Sequence, residues 1–162
     1  NRERRGIEAG MQDSALAALE QIDARDNFSL ALFDETWHQG VIGILASRLK
    51  DRFHRPVIAF ARASGGELKG SGRSIAGLHL RDALDLVSKR HPALIKKFGG
   101  HAAAAGLSIA EVDFVSFVAA FEQVCAWAAR GAARRLRMPA LKARLSTTRS
   151  PDPPAPAATA GW

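Results

Sequence analysis

Apolar side chains return every three or four positions in several parts of the chain, and this spacing predicts amphipathic α-helices. The predicted helices cover residues 1–23, 41–53, 80–87, 94–98 and 113–125. Pro92 separates the third helix from the fourth, which is short. Asp113 is a favourable N-cap for the last of these helices.

Short apolar runs between the helical segments predict buried strands. The predicted strands cover residues 28–33, 57–61, 68–74 and 107–109, and the second and third are joined by a hairpin turn at 64–67. The resulting order is β-α-β-β-α-α-β-α. This order predicts an α/β fold in which a mixed β-sheet is flanked by helices.

Composition divides the chain into a patterned body and a basic C-terminal segment. Residues 130–162 contain seven basic residues, one acidic residue and five of the seven prolines. They show no apolar period, so we expect an Arg/Pro-rich disordered tail. Residues 26–129 are the predicted folded domain, and residues 1–25 form a separate helix before it.

The net charge of +7 is unevenly distributed along the chain. Residues 48–97 contain 12 basic and 4 acidic residues, a local net charge of +8. Because this charge coincides with glycine-rich loops, it favours a polyanionic partner such as a nucleic acid. The alternative is that these lysines and arginines only form solvated faces.

Membrane and secretion signals are not found in the sequence. It has no run of about 18 apolar residues, the length needed to span a membrane. The basic N-terminus is not followed by the apolar core of a signal peptide. We therefore expect a cytoplasmic protein without a membrane partner. The single cysteine, Cys125, lies on an apolar helix stripe, which predicts a packed thiol.

The first candidate site is Gly99-Gly100-His101, which is followed by four alanines. This pattern suits a phosphate-binding turn that opens a helix, with backbone N–H groups facing the anion and the imidazole donating from one side. The alternative is a simple Gly-Gly turn before a packed, Ala-rich helix.

The second candidate site surrounds Arg73, which follows Gly72 and lies between the hydroxyls of Ser71 and Ser74. A guanidinium fork with neighbouring hydroxyl and backbone donors matches a phosphate group. The alternative is a tight turn in which Arg73 pairs with Asp82 or Asp85 of the next helix.

The third candidate site precedes the second helix, where Trp37, His38 and Gly40 lie close together. An aromatic ring and polar groups at a helix N-terminus suit a nucleotide. The alternative is that Trp37 packs in the core and His38 caps the helix.

Taken in order, residues 37–49, 69–74 and 98–106 resemble the RecJ family of single-stranded-DNA-specific exonucleases. The resemblance covers about residues 1–125 and concerns the DHH-associated domain, the second half of the nuclease core. It implies the substrate-binding part of a metal-dependent 5′-to-3′ exonuclease of DNA repair and recombination. It also implies that Ser71, Gly72 and Arg73 bind the DNA 5′-phosphate. By the same resemblance, His101 contacts the phosphate near the cleaved bond.

The sequence departs from the family in one important respect, because the Asp-His-His motif that helps to bind metal is absent. The five histidines also lie too far apart in sequence for a short two-histidine ligand pair. We therefore expect no metal or other cofactor in this chain. The resemblance places Mn²⁺ or Mg²⁺ in a missing DHH catalytic domain, with residues 1–25 as the connector helix from that domain, and the chain alone is expected to be inactive.

Two other functions fit part of the pattern. A phosphodiesterase or oligoribonuclease of the same superfamily shares the glycine–histidine segment, although residues 37–49 and 70–74 favour the RecJ family. A nucleic-acid-binding module without catalysis, related to the editing-associated tail of alanyl-tRNA synthetases, would need only the basic and glycine-rich segments.

Overall fold

The computed structural model describes residues 1–20 and 26–146, and it describes side chains at residues 1–15, 17 and 26–134. Its centre is a five-stranded sheet in the order β1-β2-β3-β5-β4. The strands are β1 (Leu30–Phe33), β2 (Val57–Arg62), β3 (Glu67–Arg73), β4 (Lys97–Gly100) and β5 (Ala104–Ala110). The helices are α1 (Arg2–Glu20), α2 (Ile42–Phe53), α3 (Leu80–Arg90) and α4 (Phe114–Ser146).

The sheet is mixed, as the sequence predicts. Strands β1 and β2 are parallel and are joined by α2, whereas β2, β3, β5 and β4 pair in antiparallel fashion. The β2–β3 turn contains Gly65 and Gly66, whose φ angles of 73° and 72° are readily adopted by glycine. The prediction of an α/β fold with a mixed, helix-flanked sheet is confirmed.

Helices cover the two faces of the sheet to different extents. On one face α3 and α4 pack over the strands in a continuous core that includes Phe60, Phe117 and Phe121, all fully buried. Burial of side chains of this size stabilises the fold by about 1.5–3 kcal/mol each. On the other face α1 and α2 pack on β1 and β2, the first turn of α2 also reaches β3, and exposed positions remain on β3, β5 and β4 among the described residues. The sheet therefore has one half-face that is open to solvent.

The predicted short helix over 94–98 is wrong. Leu94 ends a turn, Ile95 follows it, both are buried, and residues 97–100 form β4. Their spacing imitates a helical stripe, but the backbone N–H and C=O groups of this segment pair with β5. This pairing depends on contacts with residues that are distant in sequence, and the spacing of apolar residues within one segment does not predict such contacts.

Helix α4 extends beyond residue 129, the predicted end of the folded domain, and ends at Ser146. Residues 130–146 are rich in Ala, Arg and Leu, which have high helix propensity. The remainder of the predicted tail, residues 147–162, lies outside the described residues, as do residues 21–25.

The segment Glu111–Arg134 is long and apolar enough to span a membrane by length and composition alone. Its apolar stripe, which includes Phe117, Phe121 and Val124, is buried against the sheet and α3. Packing of this kind is typical of the core helix of a globular domain.

Candidate nucleic-acid interface

The open half-face of the sheet carries three cross-strand rows, which we call the strand array. Because directly paired residues share a face, the register of β3, β5 and β4 defines the rows. The first row is Arg73, Ala104 and His101; the second row is Ser71, Gly106 and Gly99; the third row is Lys69, Ser108 and Lys97. Successive rows are about 6.7 Å apart and neighbouring strands about 4.8 Å apart, from the standard dimensions of a sheet.

The guanidinium of Arg73 is folded back along its own strand. Its Nη1 donates to Ser71 Oγ at 3.2 Å and to the Gly72 carbonyl at 2.8 Å. Among the described residues it has no carboxylate partner. The two candidate partners are engaged elsewhere, because Asp85 pairs with Lys89 at 2.6 Å and Asp82 lies 3.5 Å from the His79 ring. The N–H groups of Arg73 that these contacts do not use remain available to an anion.

Gly43, in the first turn of α2, connects this helix to the strand array. A Cβ atom at this position would lie 3.0 Å from Arg73 Nη2 and 3.1 Å from Ser71 Oγ. A larger residue would therefore push both side chains aside. Sequence reasoning did not single out Gly43, although a glycine inside a helix, which costs about 1 kcal/mol relative to alanine, was the available signal.

The glycine–histidine segment does not open a helix, and this part of the prediction is wrong. Gly99 and Gly100 end β4, His101 begins a tight turn, and the alanines continue into β5. Gly100 has a φ of 144°, and a Cβ there would lie 2.5 Å from the Ala104 carbonyl oxygen. The fold itself therefore requires Gly100.

His101 is exposed at the end of the first row, directly after β4, and β5 lies between it and Arg73. Its backbone N–H donates to the Ala104 carbonyl at 2.8 Å. The two turn residues that follow accept hydrogen bonds from residues outside the turn. The Ala102 carbonyl accepts from Leu80 N–H and the Ala103 carbonyl accepts from Ser74 N–H, both at 2.9 Å. The imidazole is thus carried by a turn that is held in place by the start of α3.

Gly72 and Ser74 lie away from the strand array. Alternate residues of a strand point to opposite faces, so Gly72 faces α3, where a Cβ would lie 2.8 Å from Leu80 Cδ2. Ser74 is buried, and its hydroxyl donates to the Leu78 carbonyl at 2.8 Å. This geometry gives both residues structural roles and does not support a phosphate contact by the Ser74 hydroxyl.

The residues before α2 also divide between core and surface. Trp37 is only 5% exposed and packs in the core shared by α1 and α2, so its ring is not presented to a base. His38 is exposed, and its carbonyl accepts from the N–H groups of Val41 and Ile42. Gly40 is exposed beside the first turn of α2.

The charges of the third row are uncompensated within the described part of the chain. Lys69 and Lys97 are both exposed, and no ion pair joins either of them to a described carboxylate. By contrast, the adjacent Lys96 pairs with Glu67 at 3.0 Å. The strand array is therefore a positively charged surface.

Metal ligands are not clustered in the part of the chain that the structure describes. No group of three or more His, Cys, Asp or Glu side chains is arranged to hold a metal ion among these residues. The described residues therefore do not fit the divalent metal site of a nuclease.

The site is an open, positively charged sheet face that carries a guanidinium, an imidazole and hydroxyls, in a domain of α/β class. Residues 26–126 match the family model of the DHHA1 domain. The chain belongs to the DHHA1 domain family.

The chain is similar to proteins named as RecJ exonucleases. It is 62% identical over 120 residues to the single-stranded-DNA-specific exonuclease RecJ of Dickeya dadantii (strain 3937), a match that covers 72% of this chain and 21% of the relative. It is 55% identical over 131 residues to the enzyme of the same name from Escherichia coli (strain K12), covering 78% of this chain and 23% of the relative. The crystal structure of RecJ in complex with Mn²⁺ from Thermus thermophilus superposes with a TM-score of 0.64 at 33% identity, covering 80% of this chain and 18% of that chain. The chain thus spans about a fifth of the length of these relatives, and its RecJ resemblance is confirmed.

Proposed function

We propose that the chain is the substrate-binding part of a RecJ-like exonuclease that degrades single-stranded DNA from its 5′ end in repair and recombination. The observation that carries the proposal is the first row of the strand array, where Arg73 and His101 stand on either side of Ala104. Two basic side chains separated by a residue with a small side chain leave room between them for the 5′ end of a DNA strand. The cytoplasm is the compartment that fits this role.

In this proposal Arg73 binds the 5′-terminal phosphate, and Ser71 orients the guanidinium through the Nη1–Oγ hydrogen bond of 3.2 Å. Gly43 packs closely over these two side chains. Because it has no side chain, it leaves both of them in place. His101 contacts the phosphate near the cleaved bond, where an imidazole that donates a hydrogen bond stabilises developing negative charge. His38 and Gly40 stand at the start of α2 as further candidate contacts to DNA.

Hydrolysis itself would require groups outside the described residues. We propose that Mn²⁺ or Mg²⁺ is held by a separate DHH catalytic domain that closes over the strand array. The role of this chain is then to bind and orient the DNA. We expect the purified chain to bind single-stranded DNA and to leave it intact, and manganese-dependent digestion that occurs with the full chain but disappears in His101→Ala would contradict this.

The proposal is tested by the variant Arg73→Ala and oligothymidylates with and without a 5′-phosphate. We expect affinity for the phosphorylated end to fall about tenfold to hundredfold, since a hydrogen bond to a charged group contributes about 1.5–3 kcal/mol. Affinity for the unphosphorylated oligonucleotide should change much less. Arg81→Ala is the matched control, because Arg81 is exposed on α3, which packs on the opposite face of the sheet.

The remaining outcomes of this experiment would contradict the role of Arg73 as the residue that recognises the DNA end. Equal losses for both oligonucleotides would make it a general electrostatic contact. An unchanged affinity for both would leave it with a structural role only.

A further inference from the structure

The third row of the strand array has the composition of a phosphate site, although none of its members belongs to a candidate site predicted from the sequence. Ser108 pairs with Lys69 on one side and with Lys97 on the other. The two lysines are therefore about 9.6 Å apart at their Cα atoms, with a hydroxyl between them. Neither ammonium group has a carboxylate partner among the described residues, so both charges are available to an external anion.

The second row contains two glycines that the fold does not require. At Gly99 a Cβ atom would meet no heavy atom of the described chain within 4 Å, and at Gly106 it would meet only the Gly70 carbonyl oxygen at 3.7 Å, an ordinary contact. Neither residue has a positive φ. Because glycine in a strand costs about 0.5–1 kcal/mol relative to alanine, its use at two paired positions indicates that something outside the chain approaches the backbone there.

The spacing of the rows fits one repeating ligand. Same-face residues of β3 recur about every 6.7 Å, which is comparable with the separation of successive phosphates in an extended DNA single strand. An anion at the first row would be followed by a second phosphate over Ser71 and the bare glycine pair. A third phosphate would then lie between Lys69 and Lys97.

We propose that Lys69, Ser108 and Lys97 bind the third phosphate of a DNA single strand that runs along β3 over the glycine pair. This inference rests on the proposed function and adds the path of the DNA to it. All three side chains would contact the backbone and not the bases, so the contact is independent of sequence. Charge complementarity favours a phosphodiester chain over an apolar partner on this face.

The test measures binding by amide chemical shifts during titration with 5′-phosphorylated oligothymidylates of one, two, three and six nucleotides. The variant is Lys69→Ala/Lys97→Ala. The matched control is Lys50→Ala/Lys89→Ala, which removes the same charge from two lysines that are paired with Asp51 and Asp85. Thermal unfolding of both variants verifies that they fold.

We expect the array variant to bind the single nucleotide as the wild type does, and to bind the three- and six-nucleotide ligands about fivefold or more weakly than the control. The slope of log affinity against log salt should fall by about 0.7 for each phosphate that the variant no longer binds. Shifts at the amides of Gly99, Gly106 and Ser108 should grow with ligand length up to three nucleotides.

Two outcomes would overturn the inference while the proposed function stands. One is an affinity for long ligands equal to that of the control, with Arg73→Ala still impaired. The other is an equal loss for the single nucleotide and the longer ligands, which would reduce the third row to a general electrostatic effect. If the wild-type chain bound none of the four ligands, the proposed function would fail as well.

Discussion

At the residue scale, the glycines near the open sheet face are of two kinds. Gly100 has a φ of 144° and would bring a Cβ within 2.5 Å of backbone atoms, so the fold requires it. Gly99 and Gly106 have free space above them and ordinary backbone angles. The adjacent glycines therefore have different roles. Gly100 is required by the fold, whereas Gly99 is explained by the ligand that we propose.

This distinction predicts opposite effects of alanine at neighbouring positions. Gly100→Ala should destabilise the domain by several kcal/mol, because it combines a strained backbone with a steric clash. Gly99→Ala and Gly106→Ala should keep or raise stability, by up to about 1 kcal/mol, and should weaken binding of single-stranded DNA. Chemical denaturation and DNA titration measure the two effects. Full DNA affinity in Gly99→Ala and Gly106→Ala would show that no ligand approaches the glycine pair.

Cys125 provides a pH-dependent prediction. Burial, followed by the nearby charge of Glu122, raises the pKa of its thiol from 9.0 to about 12. Since the folded pKa lies above the unfolded one, the neutral thiol favours the folded state below pH 9, and this contribution is lost as the pH rises towards 12. Unfolding measured from about pH 8 to about pH 11 should show a steeper loss of stability in the wild type than in Cys125→Ala. Parallel curves would contradict the assignment.

At the scale of elements, one carboxylate of α4 accepts hydrogen bonds from the residues just before β1. Glu122 accepts hydrogen bonds from Phe28 N–H at 2.7 Å, from Ser29 N–H at 2.9 Å and from Ser29 Oγ–H at 2.5 Å. Ser29 is buried, so loss of its acceptor would leave polar groups without a partner.

Glu122→Ala should therefore destabilise the domain by about 1–3 kcal/mol. Glu122→Gln, which keeps one acceptor oxygen, should lose less. The exposed neighbour Gln123 provides the control variant Gln123→Ala. Urea denaturation of the three variants checks the order, and equal stability of all three would show that the carboxylate contributes nothing net.

The contact between α2 and β3 leads to a prediction about the site. Gly43→Ala should strengthen the helix by about 1 kcal/mol through propensity and displace Arg73 and Ser71 by a few tenths of an ångström. We expect weaker binding of a 5′-phosphorylated end with little loss of stability. Gly10→Ala is the control, because Gly10 is a helical glycine of α1 whose added Cβ would meet no atom within 4 Å in the described chain. Unchanged binding by Gly43→Ala would show that the guanidinium position is not critical.

Strongly periodic elements were predictable from sequence, and residues whose role depends on strand register were not. Helix α2 follows a clear helical period and strand β2 is a continuous apolar run, and both lie close to their predicted bounds. Lys69 and Lys97 are distant in sequence and come together only because β5 lies between β3 and β4. Likewise, Ser71 and Ser74 appear equivalent in the sequence because both lie close to Arg73. They point to opposite faces of the sheet, however, and only Ser71 lies on the open face.

At the scale of the whole molecule, the coverage of the sheet decides where function can lie. Helices α1 and α2 cover β1, β2 and one end of β3 on one face, and α3 and α4 cover the other face. The uncovered half-face therefore concentrates the exposed backbone, the glycine pair and the two exposed lysines in one surface.

This arrangement predicts that DNA binding survives removal of the basic C-terminal residues. A chain ending at Arg134 should bind single-stranded DNA more weakly and with a smaller salt slope, because fewer phosphates are contacted. It should keep its dependence on Arg73. The measurement compares the salt dependence of both chains, and complete loss of binding on truncation would make the strand array a solvated surface only.

The hydrogen bonds that hold the His101 turn have a thermodynamic consequence. Because the carbonyls of Ala102 and Ala103 accept from Leu80 and Ser74, the turn is ordered before any ligand arrives. A preorganised turn loses little conformational entropy on association, so more of the gross contact energy remains as affinity. The amide protons of Ser74, Leu80 and His101 should accordingly exchange slowly with solvent in the free protein, and ligand binding should add little to their protection.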